Sequence, residues 1–227
     1  MIDLYLFRHA ECEMNKATDL IGGRSNSSEL TSLGKSQAKL LGLRLAKEDL
    51  TFDHVYASPA KRTLGTAQIA CEEVGFSHEK IIIDERIQEL DQGDWEGKPR
   101  VECYTPETMK ILEDMGWDFK SPNGESRKEV EDRMVKFVDE NVLSKYDSKK
   151  KITVAVFSHG VAIKCLLRHV LDFDQAISYK VLLSNTSISQ LRFTDKGWFV
   201  ERINDGAHIA DSDALKAYQN WVYGTIE

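Results

Sequence analysis

Long apolar runs, proline, paired cysteines and excess positive charge are missing or scarce in this chain, and each absence excludes a class of protein. No stretch approaches the roughly 20 consecutive apolar residues of a membrane-spanning helix. The N-terminal run Met1–Phe7 carries Asp3 and no basic flank, so it does not read as a signal peptide. Only 4 prolines and 14 glycines among 227 residues leave no collagen-like or disordered character. The four cysteines, Cys12, Cys71, Cys103 and Cys165, form no Cys-x-x-Cys pair. They read as reduced thiols rather than a disulfide framework or zinc site, which makes the cytoplasm the expected location. Thirty Lys and Arg against 37 Asp and Glu give a net charge of −7, which argues against nucleic acid or an anionic membrane as partner. An anionic ligand must therefore meet a local cluster of positive charge.

What remains is ordinary globular composition, 41% hydrophobic and 30% charged, at a length suited to a single domain over residues 1–227. Ile2–Phe7 is a short apolar run of the kind buried on both faces of a parallel sheet, and it breaks into Arg8-His9. Thr31 is a candidate N-cap for a helix carrying Leu33, Leu40, Leu41 and Leu45 on one face. A second strand over 53–57 meets Ser58-Pro59, read as cap and first-turn proline of a helix that stops at Gly75 and carries Arg62 near its start. Lys80–Ile83 is a third strand, followed by a polar loop over 85–100 containing Glu89. A segment over about 99–125, between Pro99 and Pro122, reads as a small lid insertion with a short helix around Met109, Leu112 and Met115. Ser126 and Glu129 form a capping box for an amphipathic helix. Ile152–Phe157 is the strongest strand and ends at Ser158-His159-Gly160 before a buried helix over 161–171. Ile188–Phe193 and Trp198–Val200 form an edge hairpin. The alternation predicts an α/β, doubly wound, mostly parallel sheet flanked by helices, with an antiparallel edge strand.

In such sheets ligands bind beyond the carboxyl ends of the strands, where Arg8-His9, Ser58 with Arg62, and Ser158-His159 converge. Two imidazoles, two guanidiniums and the carboxylate of Glu89 suit phosphoryl transfer, which demands that charge on the phosphoryl oxygens be held and neutralised. A neutral imidazole, His9 or His159, attacks phosphorus, and a carboxyl serves the leaving and entering oxygens in turn. This chemistry demands no metal and implies no cofactor. A bare Arg-His pair means little, since Arg168-His169 repeats it inside a predicted helix; only the joint placement carries weight.

With Leu6-Phe7-Arg8-His9-Ala10-Glu11 followed by Asn15, the chain resembles the histidine phosphatase superfamily, the phosphoglycerate mutase-like proteins. Gly23-Arg24, Leu30-Thr31 with Gly34, Ser58-Pro59 with Arg62, Glu89 before Gly93-x-Trp95-Glu96-Gly97, Gly124-Glu125-Ser126, Ser158-His159-Gly160 and Asn185-Thr186-Ser187 extend the likeness over about residues 1–200 in order. The resemblance implies His9 as phosphoacceptor, Arg8, Arg62 and His159 as ligands of the phosphoryl group, Glu89 as proton donor, and Asn15 and Arg24 on the substrate side. Two residues depart from the pattern. Ala10 stands where the motif has Gly, and its Cβ crowds the site if that backbone needs positive φ; Cys12 stands where it has Thr.

Competing motifs fail. Cysteine-dependent phosphatases need Arg six residues after the Cys, where this chain has Thr18, Ser77, Met109 and Leu171. Gly34-Lys35-Ser36 lacks the preceding glycine and strand of a P-loop. Asp211-Ser212-Asp213 precedes Leu215, Tyr218 and Trp221 and reads as a helix cap. His54, His78 and His208 have surface or loop roles by default, Cys71 and Cys165 are core, and Trp95, Met115 and Trp117 are read as lid core. Arg100–Arg127 mixes Arg100, Lys110 and Lys120 with Glu102, Glu107, Glu113, Asp114 and Asp118, which offers little to a doubly anionic ligand. The expected reaction is therefore metal-independent hydrolysis of a small phosphorylated metabolite. A cofactor-dependent phosphoglycerate mutase and a non-catalytic phosphate-binding scaffold are the alternatives. The edge strand at Trp198–Val200 is a candidate surface for a homodimer.

Overall fold

The computed structural model describes residues 1–209, so the helix expected after Asp211-Ser212-Asp213 lies outside the described residues. Ile2–Arg8 forms β1, with every residue but Arg8 buried, as a strand covered on both faces requires. Its alternation divides the core. Leu4 and Leu6 join Val154, Val156, Met134, Phe137 and Leu166 on one side of the sheet. Tyr5 and Phe7 join Val55, Leu41, Leu45, Ala67 and Phe157 on the other.

The short α1 (Glu13–Lys16) follows β1, and then α2 (Ser32–Lys47), β2 (His54–Ala57), α3 (Lys61–Glu73) and β3 (Ile81–Ile83). Next come α4 (Arg100–Cys103), α5 (Pro106–Met115), α6 (Arg127–Asn141), β4 (Ile152–Ser158), α7 (Gly160–Leu171) and α8 (Gln175–Ser178). β5 (Ile188–Thr194) and β6 (Gly197–Asp205) close the sheet, whose order is β3-β2-β4-β1-β5-β6. The first four strands are parallel, while β5 runs antiparallel to β1 and β6 antiparallel to β5. Register sets Arg8 opposite Ser158 and Ala57 opposite Phe157, so the chain leaves three neighbouring strands at one edge.

The expected caps form at two helices. Thr31 Oγ1 accepts from the Gly34 amide at 2.9 Å, and Ser126 and Glu129 close a capping box. Ser58 is not the cap of α3, as the sequence suggested. Ala60 takes that place, and the Ser58 hydroxyl accepts from His159 Nε2 at 2.8 Å instead. The inner face of α2 also differs from the expected leucine stripe. Leu33 and Leu40 are exposed, and Gly34, Ala38, Leu41, Gly42 and Leu45 face inward. Close approach is the reason: a Cβ on Gly34 would lie 1.9 Å from the Glu11 carbonyl oxygen, and one on Gly42 would lie 2.8 Å from that of Ala70.

β6 is longer than the expected Trp198–Val200, reaching Asp205. The 99–125 segment holds two helices rather than one and is tied to the body by the Leu20–Pro99 bridge. Of its proposed core residues Trp117 is buried, but Met115 is exposed and Trp95 packs edge-on to Tyr104. The polar loop after β3 contains a pair of short 3-10 turns, Glu85–Ile87 and Gly93–Trp95. All four cysteines are buried and unpaired. No helix among the described residues is long and apolar enough to cross a membrane. Because Thr31 both caps α2 and donates to Glu11 Oε1 at 2.7 Å, Thr31→Ala should lower the unfolding free energy by about 1–2 kcal/mol, read by urea denaturation.

Candidate active site

β1 ends by delivering Arg8 and His9 into a cavity of about 800 Å³, and the His9 backbone is held on three sides. Its amide donates to the Ser158 carbonyl at 3.0 Å. Its carbonyl accepts from Asn185 Nδ2 at 2.9 Å and from the Thr186 amide at 3.4 Å. Thr186 makes that contact from a left-handed conformation, φ 57°, which a β-branched residue adopts only when its surroundings impose it. Its Oγ1 is 3.0 Å from Nε2 of the half-buried His208, where desolvation pushes the pKa down to about 4.

The His9 ring is fixed as firmly. Nδ1 lies 2.7 Å from the Ala10 carbonyl, which can only accept, so Nδ1 carries the proton and Nε2 the lone pair. Nε2 has no partner among the described residues. Burial, with the charges of Arg62 and Arg8, holds His9 well below its ordinary value of 6.5, so the ring is neutral. Ala10 is fully buried and is not among the residues of positive φ, so the missing glycine leaves no backbone strain. Its amide donates to Thr66 Oγ1 at 2.9 Å.

His159 lies beneath, its ring centroid 5.2 Å from that of His9 and its surface fully covered. Arg62 donates to its Nδ1 at 3.0 Å, which leaves the proton on Nε2 for Ser58. Burial, then Arg62, His9, Arg133 and Arg8, lowers His159 well below 6.5 too. Arg62 is anchored by the carbonyls of Arg24 and Ser25, at 2.8 and 2.9 Å, and Arg8 by that of Leu183 at 2.5 Å. Neither guanidinium forms an ion pair among the described residues, so their charge is left for a ligand.

Glu89 lines the cavity at the start of α7, accepting from the amides of Leu90 (2.9 Å), Val161 (3.1 Å) and Ala162 (3.2 Å). Asn15 lines it as expected. Its Oδ1 accepts from the Cys12 amide at 3.1 Å and from Asn185 Nδ2 at 3.3 Å, which assigns the amide orientation and leaves Nδ2 free to donate. The buried Cys12 thiol donates to the same Oδ1 at 3.4 Å.

Arg24 does not reach the cavity lining. Its guanidinium is 3.3 Å from Asp91 and 3.8 Å from Glu125, and only its backbone serves the site, by holding Arg62. Two acids on neighbouring loops compete successfully for this arginine. Cations that the sequence did not single out for the site take its place. Lys16, Arg100, Arg127 and Lys164 line the cavity with Arg8 and Arg62, against Glu11 and Glu89 alone. The charge count along the Arg100–Arg127 stretch does not describe what faces the cavity: the half-buried Arg127 and the exposed Arg100, whose Nε donates to the Thr18 carbonyl at 3.0 Å, are on the lining, and the acids of the stretch are not. Lys164 alone had a visible signal, a charge in an otherwise apolar turn of a helix read as buried.

A buried pair of neutral imidazoles beside guanidiniums that form no ion pair among the described residues, at the carboxyl edge of this sheet, is an arrangement chemically suited to a phosphoryl group. A family model of the histidine phosphatase superfamily (branch 1) matches residues 4–206, and the chain belongs to that superfamily. A probable phosphoglycerate mutase GpmB from Serratia proteamaculans (strain 568) is 34% identical, covering 96% of this chain and all of the relative. Among solved structures, a mutant phosphoserine phosphatase from Entamoeba histolytica in complex with phosphoserine superposes with a TM-score of 0.75 at 27% identity, over 92% of this chain and all of that one. Bacillus stearothermophilus YhfR gives 0.77 at 28% identity over the same shares.

The two neutral histidines have a consequence for stability. In the unfolded chain each gains a proton as the pH falls below about 6.5, whereas the folded protein resists it. The unfolded state then binds more protons, so stability that is whole above that pH is lost below it, by about 1.4 kcal/mol per histidine per pH unit until the folded-state value is reached. Denaturation curves between about pH 7 and pH 5 should show this loss, with a shallower slope for His9→Gln; an equal slope would contradict a neutral His9.

Proposed function

We propose that this chain is a metal-independent phosphomonoester hydrolase working through a phosphohistidine on His9. The observation that carries the reading is the His9 ring: neutral, with Nδ1–H tied to Ala10 and Nε2 unpartnered on the cavity wall. Nε2 attacks phosphorus with its lone pair while the ester P–O bond breaks. Arg8 and Arg62, with His159 behind them, hold the phosphoryl oxygens and their gathering charge. Glu89, in its protonated form, gives its proton to the leaving alkoxide. Water then loses a proton to the Glu89 carboxylate and attacks phosphorus, and the P–N pair returns to Nε2, releasing phosphate. Asn15 Nδ2 donates to the ester from the mouth of the site. The positive charge comes from guanidiniums, so no step calls for a metal or cofactor, and the substrate is a small phosphorylated metabolite.

The name of the GpmB relatives favours a second reading, in which a substrate hydroxyl rather than water takes the phosphoryl group. The phosphatases among the structural neighbours favour water. Phosphate release from a panel of phosphomonoesters under excess chelator decides between them. Release is expected to survive the chelator and vanish in His9→Ala; interconversion of 2- and 3-phosphoglycerate without release would establish the mutase instead. Glu89→Gln should slow hydrolysis of alkyl phosphates by about 10²–10⁴-fold. Esters of acidic phenols, whose leaving group needs no proton, should be slowed far less, and equal slowing of both would remove Glu89 as the donor.

A further inference from the structure

The loop that carries Glu89 belongs to no sheet, so its carbonyls need donors from elsewhere, and one side chain supplies three of them. Arg133, half-buried on α6, donates from Nη1 to the carbonyls of Arg86 at 2.6 Å and Gln88 at 2.8 Å, and from Nη2 to that of Glu89 itself at 3.0 Å. Its other two N–H groups, on Nε and Nη2, reach the two carboxylate oxygens of Glu125 at 2.7 and 2.8 Å, so all five donors of the guanidinium are used. Glu125 in turn holds the far side of Glu89: its amide donates to the Asp91 carbonyl at 2.9 Å, and its Oε2 accepts from the Asp91 amide at 3.4 Å. The Ser158 hydroxyl takes the Ile87 carbonyl at 2.7 Å. The backbone is thus gripped on both sides of Glu89, while the Glu89 carboxylate rests on the first amides of α7. Neither Arg133 nor Glu125 is on the cavity lining, so neither is placed to touch substrate.

We propose that Arg133, locked by Glu125, is a positioning residue for proton transfer: it sets where the Glu89 carboxyl stands relative to the ester oxygen. This rests on the reading of Glu89 as proton donor and adds to it the group that aims the donor. A carboxyl gives up its proton only across hydrogen-bond distance, and a misplacement of about 1 Å costs about 10²-fold in rate. Glu89 stands on a loop, where no ladder of strand or helix bonds fixes that distance. The planar fork of Arg133 fixes it instead, by tying three loop carbonyls to one rigid group that is itself held by a carboxylate. A lysine has the same charge but no fork with which to span three carbonyls and a carboxylate.

The test compares kcat/KM for para-nitrophenyl phosphate, whose leaving group needs no proton, with that for glycerol 3-phosphate, whose leaving group does. Their ratio within one variant does not depend on the fraction of enzyme folded. Arg133→Gln should raise it by about 10–100-fold in favour of the aryl ester, and Glu125→Gln should raise it less. Added to Glu89→Gln, Arg133→Gln should raise it no further, because the two residues act as a unit. Equal slowing of both esters by Arg133→Gln, a further rise in the double variant, or a wild-type ratio in Arg133→Lys overturns the proposal. Glu89→Gln alone reads the donor assignment. A ratio raised there but unmoved in Arg133→Gln keeps the donor and removes the positioning role; a ratio unmoved in Glu89→Gln overturns both. Amide hydrogen exchange reads the clamp without turnover: exchange at Val161 and Ala162, which donate to the Glu89 carboxylate, should quicken in Arg133→Gln while that of β1 stays the same. Unchanged exchange there, or equal quickening in β1, overturns the positioning role. If the wild type releases phosphate from neither ester, the hydrolase reading falls and the exchange result decides the role of Arg133.

Discussion

A buried guanidinium, Arg62, and a half-buried one, Arg8, both held by backbone carbonyls rather than carboxylates, are the constraint on which the rest of this protein depends. Arg62 donates to the carbonyls of Arg24 and Ser25, and Arg8 to that of Leu183. Carbonyls meet the hydrogen-bonding demand of a buried guanidinium without cancelling its charge. That charge, with burial, keeps His9 and His159 neutral, and it presents an unneutralised positive site to an entering phosphoryl group. A carboxylate beside either arginine would pair the cation and raise the histidines, weakening both effects.

Holding such a cluster requires several independent elements to agree. Loop 23–25 supplies the carbonyls for Arg62, the turn at Asn185-Thr186 clamps the His9 carbonyl, and Ser58 takes the proton side of His159. Thr186 stands at φ 57°, a local cost held in place by its bonds to the β1 end and to His208. The sheet makes this agreement possible. With β4 between β1 and β2, the ends carrying Arg8-His9, Ser58 and Ser158-His159 are neighbours, and the closely packed α2–α3 pair brings Arg62 and Thr66 against them.

Much of this was legible beforehand where the signal is local. The apolar run of β1, the Thr31 cap and the Ser126–Glu129 box each depend on a few adjacent residues, and each formed as read. The leucines of α2 misled because hydrophobicity does not report distance: a helix pressed close to its neighbour turns its small residues inward. Arg24 misled because motif position fixes the backbone but not the guanidinium, and Asp91 and Glu125, far along the chain, drew it away. The charge balance of Arg100–Arg127 was counted along the chain, whereas a ligand meets only the side that faces the cavity.

By itself the sequence determined the fold class, the order of the strands' polar ends and the residue types gathered there, since these follow from hydrophobic periodicity and strand termini. Tertiary structure alone decided which nitrogen of His9 is free, that both histidines are neutral, and that Lys164 and Arg127 share a cavity with Arg8. Tautomer, burial and Coulomb energy all depend on distances between atoms remote in sequence, and those distances exist only once the chain has folded.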